Sequence, residues 1–187
     1  MNIAIVGATG NVGRKTLEVL EKKGLTLGNL YLVASSKSAG KKIHFQGKDI
    51  VVSELENFDF SKVKIAFFAA GGKISEKFAE KAAKHCLVID NSSFFRMDPD
   101  VPLIVPQVNS DALNNIKKNI IANPNCSTAQ LVIALKPLHD LFVIKRIVVS
   151  TYQSVSGAGK ASMDELIKQT KLALDGKDIK SENFTKP

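Results

Sequence analysis

The sequence predicts an α/β fold, with a doubly wound parallel sheet followed by the start of a second, incomplete α/β domain. Three observations support this. Short apolar runs alternate with amphipathic helical patterns along most of the 187 residues, a glycine-rich turn follows the first apolar run, and the alternation begins again near residue 145. Strands that alternate with helices form parallel sheets covered by helices.

The first domain is predicted over residues 1–144. Its strands are short apolar runs such as Ile3–Val6, and its helices repeat apolar residues at helical spacing, as Leu131, Val132 and Leu135 do. In chain order we predict strand 2–6, helix 11–23, strand 30–34, short strands 43–45 and 50–52, strand 64–68, helix 73–84, strand 87–90, an extended stretch 101–108, strand 120–122 and helix 126–136.

The second domain is predicted over residues 145–187. Lys145 to Tyr152 has the pattern of a long strand, 154–159 of a small-residue loop and 161–174 of an amphipathic helix, and the tail is polar. One strand and one helix cannot bury their apolar faces alone. We therefore expect this domain to be truncated.

The composition and the lengths of the apolar runs indicate the cellular compartment of the protein. With 44% hydrophobic residues the chain can supply an ordinary core. No apolar run approaches the roughly 20 residues that a membrane-spanning helix needs, and Met1 leads directly into a strand pattern without a basic leader. We expect a cytoplasmic protein without a membrane partner.

The charge pattern and the cysteines argue against nucleic-acid-binding and disulfide-rich classes of protein. The net charge of +8 comes from lysines scattered over predicted helix faces, without interleaved aromatic residues, so no nucleic-acid partner is predicted. Cys86 precedes a buried strand and should itself be buried, so a disulfide framework is not expected. No metal site is predicted.

The glycine-rich turn Gly7-Ala8-Thr9-Gly10-Asn11-Val12-Gly13 lies between the first strand and the first helix. Glycines here permit a tight turn and a close approach of backbone N–H groups to a pyrophosphate. The pattern is GxxGxxG and departs from the commoner GxGxxG. It favours a Rossmann-like dinucleotide site, and a glycine-rich turn without a ligand is the alternative.

The end of the second strand selects the cofactor. An acidic residue there would bind the ribose 2′-hydroxyl of NAD, but this chain has Ser35, Ser36, Lys37 and Ser38. Hydroxyls and an ammonium suit a 2′-phosphate, which a carboxylate would repel. We predict NADP over NAD, with a serine-rich surface turn as the alternative.

Cys126 is the candidate nucleophile. It lies in the string Asn123-Pro124-Asn125-Cys126-Ser127-Thr128, at the predicted start of a helix. A helix N-terminus stabilises a thiolate. A small buried hydrophobic residue near the helix start is the alternative.

Three further strings complete a family pattern. They are Asn91-Ser92-Ser93-Phe94-Phe95-Arg96-Met97-Asp98, Val105-Pro106-Gln107-Val108-Asn109 and Tyr152-Gln153-Ser154-Val155-Ser156-Gly157-Ala158-Gly159. With Gly7–Gly13 and Asn123–Thr128 they resemble aspartate-semialdehyde dehydrogenase, in the same order and at similar spacing. The resemblance covers the first half or so of a family member.

The resemblance implies reductive dephosphorylation of L-aspartyl 4-phosphate to L-aspartate 4-semialdehyde, toward lysine (through diaminopimelate), methionine and threonine. It implies that Cys126 forms a thioester and that Gln153 orients the acyl intermediate. Arg96 would bind phosphate, with Asn125 also on the substrate side. A surface ion pair of Arg96 with Asp98 or Asp100 is the alternative. The cofactor contacts would be Thr9 to Val12 at the pyrophosphate, Ser35 to Ser38 at the adenosine phosphate, Ser156 and Gly157 at the nicotinamide, and Gly71 close to the cofactor.

A general base is missing from this pattern. His44 and His85 lie near strand edges far from the cysteine loop, and His139 lies 13 residues after Cys126, beyond Pro137, which would disturb the helix before it. By resemblance the catalytic histidine, the substrate-carboxylate arginine and a second phosphate-binding lysine come from the later half of the protein. We expect this chain alone to bind NADP with little turnover, and the full-length protein to be a homodimer or homotetramer.

Three other functions remain possible at this stage. N-acetyl-glutamyl-phosphate reductase shares the thioester chemistry, and glyceraldehyde-3-phosphate dehydrogenase is a more distant relative of it. A catalytically silent NADP-binding or interaction module is the third.

Overall fold

A seven-stranded sheet forms the framework of the chain. The computed structural model describes residues 1–182 and 184. The strands are β1 (Ile3–Val6), β2 (Leu30–Ala34), β3 (Lys42–Phe45), β4 (Lys48–Glu54), β5 (Ile65–Phe68), β6 (Leu87–Asp90) and β7 (Ile120–Ala122). Their order in the sheet is β3-β4-β2-β1-β5-β6-β7, and all pairs are parallel except β3 with β4.

Helices connect the parallel strands, which confirms the predicted alternation. A short 3-10 helix, Ser36–Ser38, follows β2. The α-helices are α1 (Asn11–Lys22), α2 (Gly72–Ala83), α3 (Pro106–Asn109), α4 (Cys126–Phe142) and α5 (Lys160–Leu174).

The core lies on both faces of the sheet. Successive strand residues point to opposite faces, so Val6 packs in the cluster that contains Phe78 of α2, while Ile5 packs in the cluster that contains Leu17 of α1. Helices therefore cover both faces, as a doubly wound parallel sheet requires. The predicted fold class is confirmed.

The strand order creates a switch point between β1 and β5. From β1 the chain crosses to β2 on one side, whereas β5 occupies the other side. The helices that follow these two strands, α1 after β1 and α2 after β5, therefore pack on opposite faces of the sheet. Ligands of open α/β sheets bind outside the carboxyl ends of the strands at such a point.

The predicted strand over Lys145 to Tyr152 is wrong. No strand forms there in the described part of the chain. Its β-branched residues Ile147, Val148 and Val149 have strand propensity, but a strand needs a hydrogen-bonded neighbour. None of the β-pairs recorded for residues 1–182 involves this stretch.

Two boundaries also differ from the prediction. The helix predicted to end at residue 136 continues through Pro137 to Phe142. Proline removes one helical N–H donor, and the ion pair of Lys136 with Asp140, at 2.6 Å, spans the affected turn. The predicted extended stretch 101–108 ends early because Pro106 begins α3, a position where its fixed φ suits a helix.

The chain divides into two compact units, Met1–Ile147 and Val148–Pro187. In the second unit the Glu165 side chain of α5 is buried and accepts hydrogen bonds from Gln169 Nε2 at 2.8 Å and from the Glu182 N–H at 2.7 Å. These bonds fold the following residues back onto α5. Residues 183 and 185–187 of the predicted second domain lie outside the described residues.

No α-helix within residues 1–182 has the length and apolar character needed to cross a membrane.

Candidate cofactor and thiol site

The glycine turn after β1 is built around close backbone contacts. Gly7 has φ +85, and a Cβ on it would lie 2.6 Å from the carbonyl oxygen of Ala69, after β5. A Cβ on Gly13 would overlap the carbonyl oxygen of Gly7. Only glycine allows the two loops and the first turn of α1 to approach this closely.

The N-terminus of α1 faces the same turn. Gly10 is its N-cap residue and supplies no side-chain cap, so backbone N–H groups rather than a side chain define this end. Helix N-termini attract anions through these groups and the helix dipole. The turn therefore has the backbone geometry that a pyrophosphate needs, including Thr9, Asn11 and Val12 around the helix start.

The serine-rich segment lies beside this turn. Ser35, Ser36 and Lys37 are exposed. Thr9 Oγ1 donates to Ser38 Oγ at 3.4 Å, which joins the loops after β1 and β2. The segment presents hydroxyls and one ammonium at the carboxyl end of β2, and a phosphate fits this donor set.

The loop after β5 lies beside the glycine turn, at the same carboxyl edge of the sheet. Gly71 has φ +87 and is the N-cap residue of α2, without a side-chain cap. A Cβ on Gly71 would meet no atom within 4 Å, so its positive φ, rather than crowding, favours glycine here.

Arg96 connects the loops after β6 and β7. Its Nε donates to the carbonyl oxygen of Asn123 at 2.9 Å, and its Nη2 donates to the carbonyl oxygen of Asn91 at 3.2 Å. Asn123 Nδ2 in turn donates to Asn91 Oδ1 at 2.9 Å. The guanidinium is thus fixed at the carboxyl edge of the sheet, within a half-buried polar cluster.

The surface ion pair considered for Arg96 is not formed. Asp98 pairs with Lys118 at 2.8 Å and Asp100 with Lys117 at 2.9 Å. The Lys118 ammonium, together with the Asp100 N–H, holds the pKa of Asp98 below its usual value. Both carboxylates thus have other cationic partners.

Cys126 is the first residue of α4, as predicted, and its side chain is exposed rather than buried. Asn125 caps the helix because its Oδ1 accepts from the Ser127 N–H at 2.9 Å and from Ser127 Oγ at 2.5 Å. The Cys126 thiol lies 3.8 Å from the same oxygen. A thiol in this position is accessible and lies at the positive end of the helix dipole.

Cys86 has the opposite environment. It is 6% exposed, and its thiol donates to the carbonyl oxygen of Ala82 at 3.4 Å. Burial raises its pKa from 9.0 to about 11. The predicted burial of Cys86 is confirmed, and both cysteines are free.

The three histidines lie away from the Cys126 loop. His44 is on β3 at one edge of the sheet, with Nδ1 2.9 Å from Asp49 Oδ1, whereas Cys126 follows β7 at the other edge. His85 precedes β6 at its amino end, and His139 is in the last turn of α4. No histidine of the first unit is therefore placed to take a proton from Cys126.

The second unit carries the remaining predicted residues. Gln153 is exposed, and a Cβ on Gly157 would overlap its carboxamide. Ser154 Oγ lies 2.7 Å from Ser156 Oγ, at the start of the 3-10 helix Val155–Ala158. Within this unit Gln153, Ser156 and Gly157 form one local cluster.

Comparison with known protein families connects these features. A model described as semialdehyde dehydrogenase, NAD binding domain, matches residues 2–116. The chain belongs to the semialdehyde dehydrogenase family. A second model of the family, described as the dimerisation domain, matches residues 135–187.

Individual semialdehyde dehydrogenases agree with this assignment and confirm the resemblance seen in the sequence. The chain is 53% identical over 172 residues to the aspartate-semialdehyde dehydrogenase of Rickettsia bellii, covering 91% of this chain and 51% of that protein. It is 51% identical over 186 residues to aspartate-semialdehyde dehydrogenase 2 of Vibrio cholerae, covering 98% and 55%. The chain spans about half the length of the relatives it matches.

Solved semialdehyde dehydrogenase structures share the fold. The Vibrio cholerae aspartate semialdehyde dehydrogenase II, complexed with ASA, matches with a TM-score of 0.94 at 50% identity, over 99% of this chain and 56% of that one. The Candida albicans enzyme, solved with NADP, matches with a TM-score of 0.58 at 31% identity, over 76% of this chain and 48% of that one.

One buried group in this semialdehyde dehydrogenase chain was missed by the sequence analysis. Asp90 at the end of β6 is fully buried and bonds to Ser75 and Ser92. The sequence feature that could have indicated Asp90 is its position: a carboxylate at the end of an apolar strand, directly before the Asn91 to Asp98 string.

Proposed function

We propose that this chain is the cofactor-binding and thiol-bearing part of an NADP-dependent aspartate-semialdehyde dehydrogenase. The observation that carries the proposal is the exposed Cys126 at the N-terminus of α4, three residues after the Asn123 carbonyl that Arg96 binds. A nucleophile, an anion-binding cation and a dinucleotide loop then share the carboxyl edge of one sheet.

In this proposal Cys126 attacks the acyl carbon of L-aspartyl 4-phosphate. The sulfur–carbon bond forms, the carbon–oxygen bond to phosphate breaks, and inorganic phosphate leaves. Arg96 uses Nε and Nη2 to bind protein carbonyls, so its Nη1 donors serve the phosphate oxygens. The Asn125 oxygen caps α4, and its amide donors serve the substrate.

When bound, NADPH would supply the hydride that reduces this thioester to L-aspartate 4-semialdehyde. This reduction frees the Cys126 thiolate. The turn with Gly7, Thr9, Gly10, Asn11 and Val12 binds the pyrophosphate. Gly71 lets the backbone approach the cofactor. The segment Ser35 to Ser38 binds the 2′-phosphate, and its ammonium favours NADP over NAD.

Family resemblance adds the second-unit roles to the proposal. Gln153 orients the acyl intermediate, and Ser156 and Gly157 contact the nicotinamide. We propose a domain boundary at 144/145, close to the division between Ile147 and Val148, with a cytoplasmic full-length protein that forms a homodimer or homotetramer. The match of residues 135–187 to a dimerisation domain supports self-association.

The covalent step can be tested on this chain directly. We expect L-aspartyl 4-phosphate to acylate Cys126 at a pH where exposed thiols ionise, and peptide mass spectrometry to locate the adduct. Cys126→Ala should remove it, and the buried Cys86 serves as an internal control. An adduct formed equally well from N-acetyl-glutamyl phosphate would contradict the substrate assignment, and the absence of any adduct would contradict the nucleophile.

Turnover tests the other half of the proposal. Because no histidine of the first unit lies near the Cys126 loop, we expect the isolated chain to bind NADPH yet show little steady-state activity with semialdehyde, phosphate and NADP. A rate close to that of a full-length family member would refute this expectation.

A further inference from the structure

Asp90 is a buried carboxylate with every oxygen in use. It is 0% exposed. Its Oδ1 accepts from Ser75 Oγ at 2.7 Å and from the Ser92 N–H at 3.0 Å, and its Oδ2 accepts from Ser92 Oγ at 2.7 Å. Burying a carboxylate is unfavourable unless it is hydrogen-bonded in this way, so the three bonds fix both partners firmly.

The bonds to Ser92 shape the turn that leads to Arg96. Ser92 Oγ also accepts from the Phe94 N–H at 3.1 Å, and the Arg96 N–H then donates to the Ser93 carbonyl at 3.4 Å. This turn brings the Arg96 guanidinium back over the Asn91 carbonyl. Asp90 therefore fixes the beginning of the turn that orients Arg96.

The backbone of Asp90 fixes the neighbouring segment as well. Its carbonyl oxygen accepts from the Asn123 N–H at 2.8 Å, and Asn123 is the residue whose own carbonyl Arg96 binds. Ser75, in the first turn of α2, donates to the Oδ1 atom of the same carboxylate. One residue thus joins α2, the Arg96 turn and the segment before Cys126.

We propose that Asp90 is a positioning residue that, through Ser92, holds the Arg96 guanidinium toward an anion bound beside Cys126. This inference rests on the proposed function, because it requires Arg96 to supply positive charge to the acyl-phosphate site. Asp90 is fully buried, so its effect passes through Arg96.

Two substitutions weaken this support without opening a large cavity. Ser92→Ala removes the hydroxyl that links Asp90 to the Phe94 N–H. Asp90→Asn keeps one acceptor oxygen and the side-chain volume, but the amide nitrogen that replaces Oδ2 cannot accept from Ser92 Oγ. Ser93→Ala is the matched control, since Ser93 is exposed and uses only its backbone carbonyl in the turn.

The readout is the ratio of Cys126 alkylation rates with iodoacetate and with iodoacetamide, measured by peptide mass spectrometry on the whole chain. Both reagents need the same thiolate, so the ratio isolates local positive charge. A general loss of stability accelerates both reagents alike and leaves the ratio unchanged. Circular dichroism and urea unfolding establish that each variant is folded.

We expect Arg96→Gln to lower the ratio at least about threefold, as the loss of a nearby cation requires. Ser92→Ala and Asp90→Asn should lower it at least about twofold, and Ser93→Ala should not change it. Wild-type ratios in both Ser92→Ala and Asp90→Asn, with a lowered ratio in Arg96→Gln, would overturn the positioning role alone. An unchanged ratio in Arg96→Gln would overturn the proposed anion site itself.

Discussion

The Arg96 guanidinium donates from Nε to the carbonyl oxygen of Asn123 at 2.9 Å, and this bond ties the loop after β6 to the segment that leads into α4. The two residues are far apart in sequence and meet only because β6 and β7 are parallel neighbours. Parallel strands end at the same edge of the sheet, so their following loops converge.

Arg96→Lys should therefore destabilise the chain although the charge is kept. An ammonium cannot reproduce the planar fork that reaches two carbonyls, and partly buried carbonyls that lose a partner cost about 1–3 kcal/mol. Urea denaturation measures the loss. Arg146→Lys at an exposed position is the control, and equal unfolding free energies for the two variants would contradict the structural role of Arg96.

Two glycines of the turn after β1 should respond differently to alanine. Gly13→Ala places a Cβ against the Gly7 carbonyl oxygen and should lower the unfolding free energy by at least about 2 kcal/mol.

Gly10 has φ −79, and a Cβ there lies 3.4 Å from the Gly7 carbonyl oxygen. Gly10→Ala should therefore fold normally yet bind NADPH at least about tenfold more weakly, because the backbone approach to the pyrophosphate is blocked. Unaltered NADPH affinity in folded Gly10→Ala would contradict the assignment of this turn.

Cofactor choice should depend on Lys37. We expect the chain to bind NADPH more tightly than NADH. Lys37→Ala should weaken NADPH binding about fivefold to tenfold through loss of a charge-assisted contact with the 2′-phosphate, and NADH binding should not change. Lys48→Ala, in another exposed lysine, is the control. Calorimetric titration would refute the prediction if wild type preferred NADH.

The two cysteines should differ in their reactivity toward an alkylating reagent. At about pH 8 iodoacetamide should modify the exposed Cys126 and leave Cys86 intact until the chain unfolds, because Cys86 is buried and its pKa is raised to about 11. Equal labelling of both in the folded chain would contradict this.

The raised pKa of Cys86 also predicts a pH dependence of stability. The unfolded thiol has the ordinary value of 9.0, so the native state holds this proton more tightly. The Cys86 contribution is therefore fully present below about pH 9 and is lost as the pH rises to about 11. Other groups titrate in this range, so the difference in unfolding free energy between wild type and Cys86→Ala is the quantity to measure. A difference that does not change between these pH values would contradict the shift.

Much of the fold follows from local patterns. Apolar runs such as Ile3–Val6 and Ile120–Ala122 mark strands that are buried on both faces, and Gly7 to Gly13 marks the turn between β1 and α1. The start of α4 at Cys126 follows from the end of the apolar run Ile120–Ala122 before it and from the helical spacing of Leu131, Val132 and Leu135 after it. These signals act over a few residues, so the sequence contains them in readable form.

The Lys145 to Tyr152 segment shows where local patterns fail. Its β-branched residues Ile147, Val148 and Val149 favour a strand, but strand formation depends on a partner elsewhere in the chain. Helix α4 is a case in which the local pattern predicts too short an element. Pro137 does not end the helix, which continues beyond residue 136 to Phe142.

Local sequence patterns are enough to predict the doubly wound α/β class, the glycine turn, the serine-rich segment after β2 and the helix-start position of Cys126, because each depends on neighbouring residues. The contacts of two side chains are visible only in the folded chain: Arg96 binds the carbonyls of Asn91 and Asn123 rather than Asp98, and Asp90 is buried between Ser75 and Ser92. Those contacts join elements distant along the chain, and the order of strands in the sheet determines which loops meet.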